Sequence, residues 1–346
     1  MPTKIAINGF GRIGRCIVRA LVERKITDVE IVAINDLTDA RTLAHLLKYD
    51  SVHREFKAGG EITHDEKSIS VGGKRIEVLA LKSPTELPWK ALGVDVVLEC
   101  TGLFTDRDKA AGHLTAGART VLISAPAKGQ DLTVVMGVND HLYDPSKHHV
   151  ISNGSCTTNC LAPMAKVMMD SFGIVRGLMT TVHSYTNDQH LLDVPHRKGD
   201  LRRSRAAAVS MIPSSTGAAK ALSEVIPELK GKFDGTAVRV PTMDVSLVDL
   251  TIETEKPASK AAIHAAMKAA ADSGAMANVL DYTETELVSS DYIGTAASCT
   301  FDSTMTLVLG DKFVKIFGWY DNEMGFSHRM VDLAVLVAKK GVQAKS

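Results

Sequence analysis

The stretch KIAINGFGRIGR, residues 4–15, joins a short apolar run to the glycine pattern G-x-G-x-x-G. An amphipathic segment follows, from Ile13 to Glu23, with apolar residues at helical spacing. A strand, a glycine turn and a helix in this order are typical of the first unit of a dinucleotide-binding fold. One glycine makes the tight turn, one admits a pyrophosphate, and one lets helix and strand pack closely. The three glycines are Gly9, Gly11 and Gly14.

A second strand-like run, residues 30–35, leads directly into Asp36, which lies 22 residues after Gly14. An acid at this place accepts hydrogen bonds from the adenosine ribose of NAD and repels the 2′-phosphate of NADP. The sequence therefore predicts NAD as cofactor, with its pyrophosphate on the helix N-terminus. The alternative, a structural glycine turn followed by a solvated acid, does not account for the complete β-α-β context.

The chain divides into two regions that differ in the pattern of their predicted strands and helices. Up to about Asn153, strands alternate with helices, and residues 94–100 and 119–124 are continuous apolar runs typical of buried parallel strands. After Cys156 the strands become longer and more alternating, and residues 327–340 form a last amphipathic helix. We therefore predict an α/β fold: a Rossmann-type doubly wound parallel sheet plus an α+β catalytic domain with a mostly antiparallel sheet.

Length and composition limit the class of protein. At 346 residues the chain is long enough for two domains, and its 40 basic residues balance 40 acidic ones, which argues against recruitment by nucleic acid or a membrane surface. No apolar run is long enough for a membrane span, and no signal-peptide pattern is present. Five scattered cysteines suit a reducing compartment, so we expect a cytoplasmic protein. They are Cys16, Cys100, Cys156, Cys160 and Cys299.

Cys156 is the candidate nucleophile. It lies in the run NGSCTTNC, residues 153–160, with Ser155 before it as a good N-cap for a following helix. A helix N-terminus and a nearby imidazolium both lower a thiol pKa, and His183 ends the strand-like run 178–183. We expect Cys156 to be the most reactive of the five cysteines. The alternative is a buried structural cysteine, since free cysteines are usually interior.

A dinucleotide fold combined with a cysteine and a histidine suggests a covalent adduct whose hydride passes to nicotinamide. On these residues the chain resembles the phosphorylating glyceraldehyde-3-phosphate dehydrogenases, whose motifs occur here in order over nearly the whole length. The motifs lie at residues 5–15, 155–160, 183–189, 215–220 and 319–323.

The resemblance implies a domain division and an assembly. Residues 1–154 would form the NAD-binding domain, residues 155–324 the catalytic domain, and a C-terminal helix at 325–346 would complete the first domain. A homotetramer is expected, with a loop from Tyr185 to Arg205 that reaches toward a neighbouring subunit's cofactor.

The resemblance also implies a reaction. The Cys156 thiolate would attack the aldehyde of D-glyceraldehyde 3-phosphate, and His183 would accept the hydroxyl proton as hydride leaves. His183 and the Cys156 backbone N–H would stabilise the tetrahedral oxyanion. Inorganic phosphate would then cleave the thioester to give 1,3-bisphosphoglycerate, a step of glycolysis and gluconeogenesis.

Cofactor and anion contacts carry over from the same motifs. The cofactor-binding residues would be Gly9, Gly11, Arg12, Ile13, Gly14, Asp36, Ser124 and Asn322, of which Asn322 would hold the nicotinamide carboxamide. Thr186 and Arg239 would bind the substrate phosphate. The inorganic phosphate would be bound by Ser155, Thr157, Arg203, Thr216 and Gly217. Thr216 and Gly217 precede a helix-like segment, where anions bind readily.

Some positions depart from the family's pattern. Gly154 stands where alanine is usual, Gly199 looks inserted, and Met324 and Phe326 replace tryptophan and tyrosine. Erythrose-4-phosphate dehydrogenase also has phenylalanine at the last position, so oxidation of that longer phosphosugar remains an alternative function.

Two further features of the sequence have other interpretations. The basic run 196–205 could bind nucleic acid in a secondary role, but it has no interleaved aromatic residues and no basic surroundings, which favours a loop. Cys160 lies one helical turn after Cys156. Because no further cysteine or histidine ligands accompany this pair, we expect no metal site.

Overall fold

The computed structural model describes residues 1–197 and 199–343, without the side chains of residues 342 and 343. Lys198 of the basic run and residues 344–346 of the predicted C-terminal segment lie outside the described residues. The chain forms two compact units. The first contains Met1–Val134, Asp140–Ser155 and the last helix from Ser327 onward, and the second contains Val135–Asn139 and Cys156–Phe326.

The first unit is built on one sheet. Among the described residues this sheet has nine strands in the order β3-β4-β5-β2-β1-β6-β7-β9-β8. The strands are β1 (Thr3–Asn8), β2 (Val29–Asn35), β3 (Ile62–His64), β4 (Ser68–Val71), β5 (Lys74–Leu79), β6 (Val96–Glu99), β7 (Thr120–Ile123), β8 (Leu132–Thr133) and β9 (Val150–Ser152). The pairs β3–β4 and β4–β5 are antiparallel, and the other pairs are parallel.

The central strands of this sheet are buried, as the apolar runs predict. Every residue of β6 and β7 is buried. The helices of the first unit are α1 (Arg12–Glu23), α2 (Ala40–Lys48), α3 (Trp89–Leu92), α4 (Arg107–Ala110) and α5 (Gly112–Thr115). The strand order changes direction at β1, which has β2 on one side and β6 on the other. In open α/β sheets the ligand crevice lies at such a switch point, at the carboxyl ends of the strands.

The second unit has a mostly antiparallel sheet in the order β11-β12-β10-β13-β16-β15-β14. Its strands are β10 (Ile174–Ser184), β11 (Ile212–Ser215), β12 (Phe233–Val240), β13 (Ser246–Thr254), β14 (Leu280–Thr283), β15 (Cys299–Leu309) and β16 (Phe313–Tyr320). The pairs β10–β12 and β14–β15 are parallel. The helices are α6 (Cys156–Phe172), α7 (Ala218–Val225), α8 (Lys260–Asp272) and the start of α9 (Met324–Gln343). The predicted fold class is confirmed.

Alternation along β13 shows how the second core forms. Val248, Leu250 and Ile252 are fully buried, and the residues between them are only partly buried. The buried side packs with Leu161 and Met164 of α6. Helices therefore cover one face of the second sheet, as the alternating pattern predicts. Among the described residues, no helix is both long enough and apolar enough to cross a membrane.

Candidate active site

The glycine turn of the first unit has the three features that the pattern predicts. Gly9 has φ +93°, and a Cβ there would lie 2.7 Å from the Thr101 nitrogen. A Cβ on Gly14 would collide with the Gly9 carbonyl oxygen, whereas one on Gly11 would meet open space. Gly11 is also the N-cap of α1. Because the first N–H groups of a helix have no intrahelical partners, the open side at Gly11 suits a pyrophosphate.

Asp36 lies beside this turn, directly after β2. One carboxylate oxygen accepts a hydrogen bond from the Phe10 N–H at 2.8 Å, and the other accepts from the Thr38 N–H at 3.0 Å. Asp36 and the turn line a cleft of about 520 Å³ at the carboxyl ends of β1, β2 and β6. The cleft is lined by Asn8, Gly9, Gly11, Asn35, Asp36, Leu37, Leu81, Lys82, Cys100, Thr101, Leu103 and Phe104. Its place at the switch point fits a dinucleotide.

A buried polar network holds the strand ends under this cleft. Asn8 donates to the Glu99 carboxylate at 2.6 Å and accepts from the Asn35 amide at 2.7 Å. Glu99 also accepts from the Thr101 N–H at 2.8 Å. Its carboxylate is almost fully buried, and hydrogen bonds offset the cost of burying the charge. The network joins β1, β2 and β6 at the floor of the cleft.

In the second unit, Cys156 is the first residue of α6 and His183 lies near the end of β10. The Cys156 sulfur is 3.5 Å from the His183 Nε2. The other ring nitrogen, Nδ1, is 2.7 Å from the Ser184 carbonyl oxygen, which can only accept. The proton of the neutral ring therefore lies on Nδ1, and the Nε2 lone pair faces the thiol.

A cluster of charged side chains adjoins this pair. Arg239 pairs with His183 across β12 and β10, and its guanidinium donates to the Thr186 hydroxyl at 2.9 Å. Asp188 accepts hydrogen bonds from the Thr186 hydroxyl and from the Arg203 guanidinium. One carboxylate thus links the residues predicted to bind the substrate phosphate to a residue predicted to bind the inorganic phosphate.

The predicted second anion group lies next to β11. Arg203 Nε donates to the Ser214 hydroxyl at 2.9 Å, two residues before Thr216. Gly217 is the N-cap of α7, and the Thr216 hydroxyl accepts from the Ala218 N–H at 3.2 Å. The structure therefore places an arginine and a helix N-terminus at the two ends of one short segment, an arrangement suited to an anion.

Residues 155–322 match the family described as glyceraldehyde 3-phosphate dehydrogenase, C-terminal domain, and residues 3–107 match the NAD binding domain of that enzyme. A glyceraldehyde-3-phosphate dehydrogenase from Geobacillus stearothermophilus is 58% identical over 342 residues, covering 99% of this chain and 100% of the relative. Glyceraldehyde-3-phosphate dehydrogenase from Streptomyces coelicolor is 56% identical, covering 98% of this chain and 100% of the relative. This chain belongs to the glyceraldehyde-3-phosphate dehydrogenase family.

Membership of the glyceraldehyde-3-phosphate dehydrogenase family confirms the resemblance, the enzyme class and NAD as cofactor. The individual site residues remain predictions, and the structure shows where each one lies. Arg12 begins α1, and its guanidinium binds Asp50. This ion pair leaves the backbone of Arg12 for the predicted contact with the pyrophosphate. Ile13 follows it in α1, and Ser124 follows β7.

Thr157 lies inside the protein rather than on an open surface. Its hydroxyl is 2.8 Å from the Tyr320 hydroxyl, which is also 2.8 Å from that of Thr181. The Thr157 hydroxyl and N–H also interact with Cys156. Ser155 directly precedes Cys156 and is partly buried. Before it, Gly154 has φ +65°, a conformation that costs glycine least.

Burial sets the charge state of the cysteine and histidine. It lowers the pKa of His183 to about 3, with a further lowering from the positive charge of Arg239. Burial raises the pKa of the Cys156 thiol. The charge of Arg239 and the hydrogen bonds from Thr157 offset part of this rise. Both groups are therefore neutral at pH 7. Burial and the neighbouring Arg239 thus disfavour the imidazolium that the sequence predicts beside Cys156.

Sequence reasoning missed two groups of polar residues. Asp188 lies within the motif at residues 183–189, where the sequence alone indicates no role for it, although it is the counter-ion of the arginine cluster. Ser184 and Ser246 hold the side chain of Asn322. A serine carries no spacing pattern of its own, so only its partners in the fold reveal it.

Two arginines of the basic run pair with acids of the second unit. Arg203 pairs with Asp188, and Arg205 pairs with Asp193 at 2.6 Å. These ion pairs leave less positive charge for a nucleic-acid backbone, which supports the interpretation as a loop.

Proposed function

We propose that this chain catalyses the NAD-dependent oxidative phosphorylation of D-glyceraldehyde 3-phosphate to 1,3-bisphosphoglycerate, in glycolysis and gluconeogenesis. The observation that carries the proposal is the Cys156–His183 pair, with the Nε2 lone pair facing the thiol beside Arg239 and Thr186. The names of the relatives support the same substrate.

The first step forms a carbon–sulfur bond. The Cys156 sulfur attacks the aldehyde carbon as its proton passes to His183 Nε2, and the carbonyl oxygen then takes that proton to give a thiohemiacetal. Since Nδ1 stays anchored on the Ser184 carbonyl, the ring keeps its orientation through both transfers.

The second step oxidises the adduct. His183 is neutral again and removes the hydroxyl proton, so the carbon can give up a hydride and become a thioester. The NAD nicotinamide supplies the hydride acceptor. The neutral ring predicted from burial is the state that this base requires.

The third step needs two anions in the catalytic unit. Arg239 and Thr186 bind the phosphate of the substrate, and Arg203 with the start of α7 binds inorganic phosphate. An oxygen of the inorganic phosphate attacks the thioester carbon and the carbon–sulfur bond breaks, so the Cys156 thiolate leaves and takes the proton held on His183 Nε2. Asp188 offsets the positive charges of Arg203 and Arg239 and accepts a hydrogen bond from the Thr186 hydroxyl before the anions arrive. An incoming phosphate therefore competes with an internal carboxylate, which limits how tightly it is held.

We also propose a homotetramer. The face of the second sheet opposite the helices exposes large apolar side chains on β10, β15 and β16: Leu178, Val182, Leu307, Leu309 and Phe313. A large exposed apolar patch of this kind is typical of a surface that another protein subunit covers. The loop between β10 and β11 exposes Leu191, Leu192, Leu201, Val209 and Met211 as well. Five free cysteines support our proposal of a cytoplasmic location.

A steady-state assay tests the reaction. NADH formation is measured with glyceraldehyde 3-phosphate and with erythrose 4-phosphate, each with and without inorganic phosphate, and Cys156→Ser serves as the inactive control. We expect turnover that depends on phosphate and a larger kcat/KM for the three-carbon substrate. A larger kcat/KM for erythrose 4-phosphate would favour the alternative function, and turnover independent of phosphate would contradict the phosphorylating mechanism.

A further inference from the structure

The side chain of Asn322 is held by two buried serines. Its Oδ1 is 2.8 Å from the Ser184 hydroxyl and 2.8 Å from the Ser246 hydroxyl. Ser184 lies at the end of β10, Ser246 begins β13, and Asn322 follows β16. The two serines are at most 1% exposed, and Asn322 is 6% exposed.

Donor and acceptor counts decide which end of the amide faces the serines. Ser246 Oγ already accepts from the Ser184 N–H at 3.1 Å, so its proton is available for Asn322. Within the described residues, the hydroxyl of Ser184 has Asn322 as its partner. If the amide were turned by 180°, two buried hydroxyl protons would have no acceptor, which is costly. The amide oxygen therefore faces inward, toward the serines.

The other end of the amide is consequently a donor facing away from the serines. Asn322 is 6% exposed, and its Nδ2 is not among the fully buried polar atoms that have no partner. No hydrogen-bond partner for it occurs in the part of the chain that the structure describes. An oriented N–H donor with an open side can bind a carbonyl oxygen of a ligand, and it cannot accept from an amino group.

We propose that Ser184 and Ser246 are positioning residues for the nicotinamide: they fix Asn322 so that its N–H end binds the carbonyl oxygen of the carboxamide. This inference rests on the proposed function, in which Asn322 contacts the carboxamide. The same Ser184 offers its carbonyl oxygen to His183 Nδ1. One residue thus sets both the tautomer of the base and the orientation of the amide, so the base and the ring face that receives the hydride are specified together.

The test uses Ser184→Ala and Ser246→Ala, each of which removes one donor to Oδ1. Ser303→Ala is the matched control, since it deletes a buried hydroxyl that donates to the Thr283 carbonyl at 2.7 Å in the same unit. The KM for NAD should rise about 3- to 10-fold in Ser184→Ala, the loss expected for one hydrogen bond. Ser246→Ala should have at least the same effect, because it also removes the acceptor of the Ser184 N–H.

The decisive readout is the face of the ring that is labelled. With glyceraldehyde 3-phosphate deuterated at the aldehyde carbon, the wild-type enzyme should deliver deuterium to one face of NADH. Ser184→Ala should place a measurable fraction on the other face, and Ser184→Thr, which keeps the hydroxyl, should restore the selectivity. The control Ser303→Ala should keep the wild-type KM and the wild-type face.

A cofactor analogue tests the polarity of the contact. Replacing the carboxamide by an acetyl group keeps the carbonyl oxygen and removes the amino group, so wild-type affinity should change less than about 3-fold. A loss above about 10-fold would mean that the amide accepts from the cofactor, which overturns the inference. Unchanged KM and labelling in Ser184→Ala would also overturn it. A wild-type enzyme without NAD-dependent activity would instead contradict the proposed function.

Discussion

Arg239 lies opposite His183 in the parallel pairing of β12 with β10, and its guanidinium approaches the imidazole Nδ1 to 3.2 Å. The arginine favours the charged form of the cysteine and the neutral form of the histidine. Its positive charge lowers the pKa of the Cys156 thiol and also lowers the pKa of His183. The charge that favours the Cys156 thiolate is therefore that of Arg239 rather than an imidazolium.

This relationship predicts that Arg239→Gln slows alkylation of Cys156. Removing the charge raises the thiol pKa, and a rise of one unit reduces the thiolate fraction about tenfold at pH 7. The rate is measured with iodoacetamide, a neutral reagent that the arginine does not attract, followed by peptide mapping. The exposed Arg176 on β10, the strand that carries His183, provides the control Arg176→Gln.

Among the five cysteines, Cys156 should be labelled first. Cys16, Cys160 and Cys299 are buried, and burial raises the pKa of Cys100 to about 12. Early label on Cys100 with activity intact would contradict the assignment of the nucleophile.

The sequence predicted those parts of the site that depend on local spacing. The glycine turn and the acid after β2 follow from distances along the chain, and the conformation of Gly9 shows why glycine is needed there. The charge state of His183 could not be predicted, because it depends on burial and on Arg239, which is 56 residues away in sequence. The hydrogen bonds from Ser184 and Ser246 to Asn322 join residues up to 138 positions apart, and no local pattern encodes these contacts.

Acid should weaken the fold partly through His183. Its pKa is about 3 in the folded state, against 6.5 for the free side chain. The unfolded chain therefore binds the additional proton, so the stability is fully present above pH 6.5 and is lost as the pH falls toward 3. At pH 5 the loss from this residue amounts to about 2 kcal/mol.

Thermal unfolding at pH 8 and pH 5 measures this effect. His183→Gln should lose less stability than the wild type between the two values, and the exposed histidine variant His141→Gln should behave as the wild type does. Other titrating groups are common to all three proteins and cancel from the comparison. Equal losses in wild type and His183→Gln would show that the imidazole titrates normally.

Asp36 should determine the preference for NAD. Its carboxylate is held by the N–H groups of Phe10 and Thr38, so it cannot turn away from a 2′-phosphate without losing both bonds. We expect a higher kcat/KM for NAD than for NADP in the wild type, and a smaller ratio in Asp36→Ser. Arg41 is exposed nearby in sequence, so Arg41→Gln should reduce residual use of NADP. Equal kcat/KM values for both cofactors in the wild type would contradict the role of Asp36.

A comparison of alanine substitutions at Gly9 and Gly102 distinguishes the cost of backbone strain from the cost of a steric collision. Gly9 and Gly102 both have positive φ, but a Cβ on Gly9 would lie 2.7 Å from a backbone nitrogen, whereas one on Gly102 would have no neighbour within 4 Å. Gly102→Ala should cost about 1 to 2 kcal/mol, the penalty of the left-handed conformation. Gly9→Ala should cost more, because β1 and the segment at Thr101 must also move apart. Thermal unfolding without cofactor measures both, and equal losses would contradict the collision.

The apolar face of the second sheet predicts the oligomeric state. Light scattering at micromolar concentration should give four times the chain mass of 37.1 kDa. Leu178→Lys should lower the measured mass, because Leu178 is 66% exposed on that face and a lysine buried between subunits would be unpaired. Val288→Lys is the control, since Val288 is 61% exposed but lies outside the sheet. A wild-type monomer would contradict the tetramer, and equal masses for Leu178→Lys and wild type would place the interface elsewhere.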